Sequence, residues 1–417
     1  MVDITSLHTD ISIMNNVYDC DAIVVGGGLA GAATALGLAH AGLGVIALDA
    51  DAATADHAAA FDGRAYAVAL GSQRFWNAVG VWPDVAEHAE PMVDVLVSDG
   101  RVSEGASPLF MHLDHRELAE GLYGYMIEDR HLRPALVDHL AAEVDYRTGV
   151  RVASVAYETG RAIATLDDGQ TLAAPLLVAC DGGNSPIAAA AGIRRIKWNY
   201  DQNGLVCAVG HELPHHGVAH EMFLPGGPFA ILPLRGNRSS LVWTERTGEA
   251  TRIHALSDEG YVAELEKRFG DFLGAITLEG GRWTYPLRLS LAHEYIRPRL
   301  ALTGDAAHAV HPIAGQGLNL GVRDAAALAE VVGDALRTGE DIGAFDVLER
   351  YQRWRRFDST ALALSMDALN RVFSNDISPL RAVRDLGLAA MNHLPGARRM
   401  FMRTATGLTG EVPKLMQ

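Results

Sequence analysis

Asp21-Ala-Ile-Val-Val25 is a short apolar run ending at Gly26, and an Ala-rich stretch from Leu29 to His40 follows, closed by Ala41-Gly42. Val45-Ile-Ala-Leu48 is a second apolar run, and it ends on Asp49. Two such runs around a helical stretch predict the opening βαβ unit of a doubly wound sheet, whose parallel strands are buried on both faces. Ala22 to Leu48 contains no Asp, Glu, Lys or Arg, which is long enough to cross a bilayer of about 30 Å. Its seven glycines and a histidine favour strand, turn and helix instead.

Apolar and polar residues alternate between about Pro91 and Met111 and again from Tyr200 to Trp243, which predicts antiparallel strands. Leu224-Pro-Gly-Gly-Pro228 and Arg235-Gly-Asn237 punctuate them. Arg130 to Leu140 predicts a helix, and Pro175-Leu-Leu-Val-Ala-Cys180 and Leu300-Ala-Leu-Thr303 predict buried strands. Apolar residues at 318, 322, 325, 328, 332 and 335 mark one face of a helix that stops at Thr338-Gly339. From Phe345 the chain reads as helices, broken at Ser378-Pro379 and Pro395-Gly396. The expected fold is α/β: a doubly wound, Rossmann-like domain (19–90, 112–195 and 286–343) interwoven with an antiparallel-sheet domain (91–111 and 196–285). A helical tail occupies 344–417.

Composition narrows the function classes. The 417 residues are 49% apolar and 21% charged, as in ordinary globular chains. A net charge of −16 argues against a nucleic-acid binder, because phosphate affinity needs concentrated Lys and Arg. Cys20, Cys180 and Cys207 lie far apart without CxxC spacing, so neither a metal site nor a disulfide framework is expected. No Lys or Arg precedes Arg64, which fits neither a secretory nor a mitochondrial leader. The expected location is cytoplasmic, with at most peripheral contact at the inner face of a membrane.

Three motifs carry chemistry. Gly26-Gly27-Gly28-Leu29-Ala30-Gly31 is GxGxxG between a strand and a helix. Its first glycine allows the tight turn, the second lets backbone approach a pyrophosphate, and the third lets helix pack on strand. Asp49 ends the next strand, where an acid can bind a ribose hydroxyl. Asp181 follows the second buried strand, and Gly304-Asp305 the third, leading to His308, His311-Pro312 and Gly315-Gln316-Gly317-Leu318-Asn319. Carboxylates at strand carboxyl ends point to the crevice where such sheets bind ligands.

These motifs resemble those of the class A flavoprotein monooxygenases, the aromatic hydroxylases built like p-hydroxybenzoate hydroxylase, and within them the ubiquinone-biosynthesis hydroxylases. Supporting stretches include Asp62-Gly-Arg64, Trp198-Asn-Tyr200-Asp-Gln202, Gly227-Pro-Phe-Ala-Ile-Leu-Pro-Leu234, Tyr285-Pro-Leu-Arg288 and Phe373-Ser-Asn-Asp376. The resemblance implies a glutathione-reductase-type FAD domain. Gly26, Gly28, Leu29, Ala30 and Gly31 would cradle the pyrophosphate and Asp49 would hold the ribose. Arg64 and Arg133 would be flavin contacts, with Asp181, Gly304 and Asp305 along the cofactor. Pro312 and Gly315 to Asn319 would face the flavin ring.

The resemblance also implies ring hydroxylation of a polyprenylated phenol through a flavin hydroperoxide, using O2 and NAD(P)H or an electron-donor protein. His311 is the candidate for positioning substrate or moving a proton. One departure stands out: the family's DGxxSxxR pattern expects Arg at 188, where this chain has Ala188. Rival readings are a same-fold hydroxylase of a soluble aromatic, a prenyl reductase, and a non-catalytic flavin-bound subunit of a quinone-biosynthesis complex. Residues 344–417 carry eleven basic and seven acidic side chains. Arg350, Arg353, Arg355, Arg356, Arg398, Arg399 and Arg403 interleave there with apolar residues, which suggests a basic face for a membrane or a partner.

Overall fold

The computed structural model describes residues 18–52, 60–119 and 121–417. The first elements among these residues are β1 (Ala22–Val25), α1 (Leu29–His40) and β2 (Val45–Asp49). It continues through β3 (Ala65–Ala69), α2 (Leu70–Ala78), α3 (Trp82–Val85), β4 (Glu90–Met92), β5 (Asp94–Arg101) and β6 (Gly105–Asp114). Next come β7 (Gly124–Glu128), α4 (Asp129–Glu143), β8 (Asp145–Thr148), β9 (Val152–Glu158), β10 (Arg161–Leu166), β11 (Thr171–Ala174), β12 (Leu176–Ala179) and α5 (Pro186–Ala190). The long strands follow: β13 (Arg195–His211), β14 (Val218–Leu224), β15 (Gly227–Leu234) and β16 (Arg238–Arg246), then α6 (Thr247–His254), α7 (Asp258–Phe269) and β17 (Ile276–Ala292). Short β18 (Ile296–Arg297), β19 (Leu300–Leu302) and β20 (His308–Ala309) lead into α8 (Gln316–Thr338), α9 (Phe345–Phe373), α10 (Ser378–Met391) and α11 (Pro395–Ala405).

The uncharged stretch from Ala22 to Leu48 is strand, helix and strand. β1 is buried along its whole length between β12 and β2, all three parallel. It lies inside a six-stranded sheet of order β18-β19-β12-β1-β2-β8. Eight consecutive residues of α1, Gly31 to Leu38, are buried, so this helix is apolar all round rather than amphipathic. Small side chains permit that: α8 crosses α1 where Gly321 meets Ala30. α8 stops where expected, with Gly339 in the left-handed conformation at φ 73° capping its last carbonyls. No helix among the described residues is long and apolar enough to cross a membrane.

The second large sheet has eight strands in the order β20-β17-β13-β16-β15-β14-β5-β6. Its strands pair antiparallel as the alternation predicts, except that β14 and β5 run parallel. The β5–β6 hairpin enters this sheet from an earlier part of the chain, so no tight turn fixes its direction against β14. One face of the sheet packs on α6 and α7 through Leu205, Phe229 and Trp243. The other face meets β3, β7 and the tail helices through Leu234, Met126 and Met402.

The tail is helical as expected, but its arginines do not form one basic face. Arg355 is fully buried and bonded to Asp324, and Arg398 forks onto Glu117 at 2.6 and 2.7 Å. Arg350 pairs with Glu340, and Arg353 pairs with Glu349 at 2.7 Å. Arginine–carboxylate forks are planar and bidentate, and internal acids capture them before solvent does.

Candidate functional site

β1, β12 and β19 are neighbours and parallel, so the loops that follow them emerge at one edge of the sheet. Backbone bonds lock the three loops together: Gly26 N–H donates to Leu48 O, Cys180 N–H to Val25 O and Thr303 N–H to Ala179 O. The three sequence motifs are thereby brought side by side.

The glycines of the first loop have separate duties. Gly26 has φ +110°, and a Cβ there would lie 2.4 Å from Cys180 O. A Cβ on Gly31 would lie 1.7 Å from Gly26 O, and one on Gly27 would lie 2.1 Å from an Asp49 carboxylate oxygen. Gly28 differs, because a Cβ there would meet nothing within 4 Å. It is the N-cap of α1, which has no side-chain cap and no acid in its first turn. The N–H groups and positive dipole end at Leu29 to Gly31 therefore face a cradle that no side chain fills, the arrangement that receives a phosphate. Asp49 closes one side, accepting from the Asp51 N–H at 3.1 Å and from the Tyr146 hydroxyl at 3.3 Å.

In the second loop Asp181 accepts from the Ile187 N–H at 3.2 Å through one oxygen, while the other is buried without a partner among the described residues. Burial pushes this carboxyl up. Ala188, where the family pattern expects arginine, is fully buried in α5, and its N–H bonds Ser185. Arg195 supports the neighbouring loop instead. It donates to the Asp305 carbonyl at 3.1 Å, to the Ala306 carbonyl and to the Ser290 hydroxyl at 2.8 Å.

The third loop is held from beneath. Asp324 is fully buried and accepts from Gly304 N–H at 3.1 Å, His308 Nε2 at 2.6 Å and Arg355 Nε at 2.8 Å. Burial alone would raise its carboxyl, but the contacts with His308 and Arg355 outweigh it and hold the group low. Gly304 sits at φ +58° against Ala30, and the Asp305 side chain stays exposed. Beyond Pro312, Gly315 turns into α8 at φ 61°, and Gly317 has open space beside it. Gln316 reaches the Ala405 carbonyl at 3.4 Å, and Leu318 packs against the main core. Asn319 is spent on structure: it accepts from Ala69 N–H at 2.9 Å and donates to the Ala67 and Gly315 carbonyls, each at 3.0 Å.

His311 is buried with its ring edge-on to Tyr200, centroids 5.2 Å apart, and neither ring nitrogen has a partner among the described residues. Burial pushes it down to about 4, so it is neutral at pH 7. Arg64 and Arg133 converge on Asp129, at 3.2 and 3.1 Å, and Tyr66 donates to the same carboxylate at 2.6 Å. Arg64 also lies over the Trp283 ring. Sequence reading missed Asp129, although its spacing of four residues from Arg133 was a visible signal for a helical ion pair.

Tested against FAD, these residues fit. The open cradle at Gly28, the uncapped N-terminus of α1 and the orphaned Asp181 oxygen are what a dinucleotide's phosphates and hydroxyls would complete. The fold and site define a dinucleotide-binding α/β protein in which a parallel sheet is joined to a large, mostly antiparallel one. Residues 19–362 match the family described as FAD binding domain, and the chain belongs to that family. Its cofactor is FAD.

Ubiquinone hydroxylase UbiL of Rhodospirillum rubrum is 44% identical, over 95% of this chain and 92% of its own. The 3-demethoxyubiquinol 3-hydroxylase of Escherichia coli is 35% identical, over 92% of this chain and 98% of its own. Among solved structures, p-nitrophenol 4-monooxygenase PnpA from Pseudomonas putida DLL-E4 superposes with a TM-score of 0.74. At 21% identity it covers 94% of this chain and 98% of its own, and it shares the fold.

Proposed function

We propose that this protein is an FAD-dependent monooxygenase that hydroxylates the aromatic ring of a polyprenylated phenol in ubiquinone biosynthesis, using O2 and a reduced donor. One observation carries the reading: the kinship with a ubiquinone hydroxylase extends over 95% of the chain. When bound, FAD supplies oxygen activation; the chain supplies binding, orientation and dryness. The α1 N-terminus would hold the pyrophosphate, Asp49 the ribose, and Asp181 and Asp305 the stretch between. The uncapped start of α8 at Gly315 to Gly317 would favour negative charge on the ring system. Arg64 and Arg133, fixed by Asp129, would approach it from the loop before β3 and from α4.

The eight-stranded sheet, from the β5–β6 hairpin and β13 to β17, would form the substrate domain on the remaining segments. His311, neutral and dry beside Tyr200, would position the ring. With a single GxGxxG and Ala188 in place of arginine, the donor, NAD(P)H or a protein, would bind transiently. Deletion of the gene is expected to lower ubiquinone and accumulate a prenylphenol lacking one hydroxyl, read by mass spectrometry of lipid extracts. Unchanged ubiquinone in a strain without a second hydroxylase refutes the reading.

The tail would bring the enzyme to its substrate. α10 and α11 turn Leu388 and Met402 towards the sheet, while Val383, Leu386 and Met400 are 65%, 63% and 68% exposed. We take that outer side to rest on the membrane that holds the prenylated substrate. The wild type should sediment with anionic vesicles, and V383D/L386D/M400D several-fold less, with flavin retained. Equal sedimentation sinks this placement.

A further inference from the structure

Along β14, side chains alternate between two environments. Met222 and Leu224 point into the core against α6 and α7. Ala219 and Phe223 point the other way, into the cluster that includes Ala65, Ala67 and Met126. Ala67 is the residue that a Cβ on Gly315 would strike, at 2.9 Å, so this cluster reaches the start of α8. Glu221 lies between Ala219 and Phe223 and therefore shares their face.

The strand register extends that position into a row across the sheet. Glu221 stands beside Val97 on β5 and Ala230 on β15, and Ala230 stands beside Val242 on β16. Val242 pairs with Val206 on β13, and Val206 with Trp283, the ring beneath Arg64. Side chains directly opposite one another are about 5 Å apart. Glu221 is thus the carboxylate in a row of otherwise apolar side chains.

It has no hydrogen-bond or ion-pair partner among the described residues. Other ionisable groups on this face are already occupied or neutral. Asp99, beside Phe223, is consumed by Arg384 at 2.7 Å, and the buried Tyr123 hydroxyl is pushed up and stays protonated. His220 faces the opposite side, against Phe272. Loss of hydration alone pushes the Glu221 carboxyl up to about 7. A carboxylate among apolar neighbours is costly unless a donor arrives with the ligand, and a group titrating near neutrality suits proton transfer at working pH.

We infer that Glu221 is the hydrogen-bond and proton acceptor for the phenolic hydroxyl of the substrate. The inference rests on the hydroxylase reading and adds a catalytic residue to it. As oxygen is added to the ring, the phenolic O–H breaks and a Glu221 O–H forms, the freed electron pair moving into the ring. The ring C–H at the new C–O bond then breaks, its electron pair restoring aromaticity and its proton passing to water. Glu221 returns its own proton to the former phenolic oxygen, so the carboxyl exchanges no electron.

The test uses FAD-loaded wild type, E221Q and E221L with two probes, 2-geranylphenol and its methyl ether, and follows binding by the flavin absorbance change. Above about pH 7 the wild type should prefer the phenol by about ten-fold or more, since a hydroxyl-binding site rejects the analogue that lacks one. That preference should shrink as the carboxyl protonates below about pH 7. E221L should bind both probes alike at every pH, and E221Q should keep a weak preference without pH dependence. If E221L retains the wild-type preference, the assignment of Glu221 is overturned while the hydroxylase reading stands. If the wild type binds neither probe, the hydroxylase reading falls and takes the inference with it.

Discussion

Asp324 offers the sharpest test of how the third loop is built. In D324L the Gly304 N–H, His308 and Arg355 lose a common acceptor. Among the described residues, the fully buried Arg355 keeps Asp358 at 3.3 Å and the Ser359 hydroxyl at 3.2 Å. Removing one partner of a buried ion pair costs about 3–5 kcal/mol, and the lost bond to Gly304 adds about 1 kcal/mol. That is a large fraction of the roughly 5–15 kcal/mol that holds a typical domain folded. The carboxyl is held below its ordinary 3.8, so its contribution is complete above that pH and lost only as pH falls through the lowered value.

Urea unfolding followed by tryptophan fluorescence at pH 7, together with flavin content, separates the two roles of the residue. D324L should lose about 4 kcal/mol or more and much of its FAD. The double variant D324L/R355M removes both charges, so it should recover most of the stability. It should not recover FAD, because Gly304 still lacks its acceptor. A D324L protein within about 1 kcal/mol of wild type, or a double variant worse than the single, would refute the reasoning.

Two further outcomes follow from single positions. G28S should cap α1 and stabilise the FAD-free protein by a few tenths of a kcal/mol while weakening FAD binding, measured by thermal shift and flavin titration; unaltered affinity would move the cradle elsewhere. Glu221 works in the opposite sense to Asp324: its folded carboxyl is raised from 4.5 to about 7, so wild-type stability should fall as pH rises through that window, by about 3 kcal/mol at most. E221L should abolish that slope and be the more stable protein at about pH 8; a slope of equal size in the variant would exclude Glu221 as its source.

Local periodicity made much of the fold legible. The β1–α1–β2 unit, the face and stop of α8 and the breaks in the tail all follow from apolar spacing and from glycine or proline at the ends. Pairing between distant segments was not legible. β14 and β5 are separated by more than a hundred residues, and alternation says that each is a strand without saying which neighbour it takes or in which direction. The arginines of the tail failed for a related reason. Interleaving shows that Arg355 and Arg398 sit on helices, but their partners, Asp324 and Glu117, come from elsewhere in the chain. Glu221 was hidden because a strand's face is named only by what packs on it, and β3, β7 and the tail supply that layer.

The glycines of the first loop show how structure divides what a motif joins. In the sequence, Gly26, Gly27, Gly28 and Gly31 look alike. The fold accounts for three of them: a left-handed turn at Gly26, a carboxylate against Gly27, and the close approach of Gly31 to the carbonyl of Gly26. It does not account for Gly28, whose φ of −63° and ψ of 177° suit any residue and whose surroundings are open. At an N-cap, serine, threonine, asparagine or aspartate would satisfy a free N–H, and glycine loses more backbone entropy on folding than they do. The protein's own stability therefore argues against glycine at 28. What asks for it is a ligand that must lie against the backbone and take those N–H groups itself, and in this family that ligand is the FAD pyrophosphate.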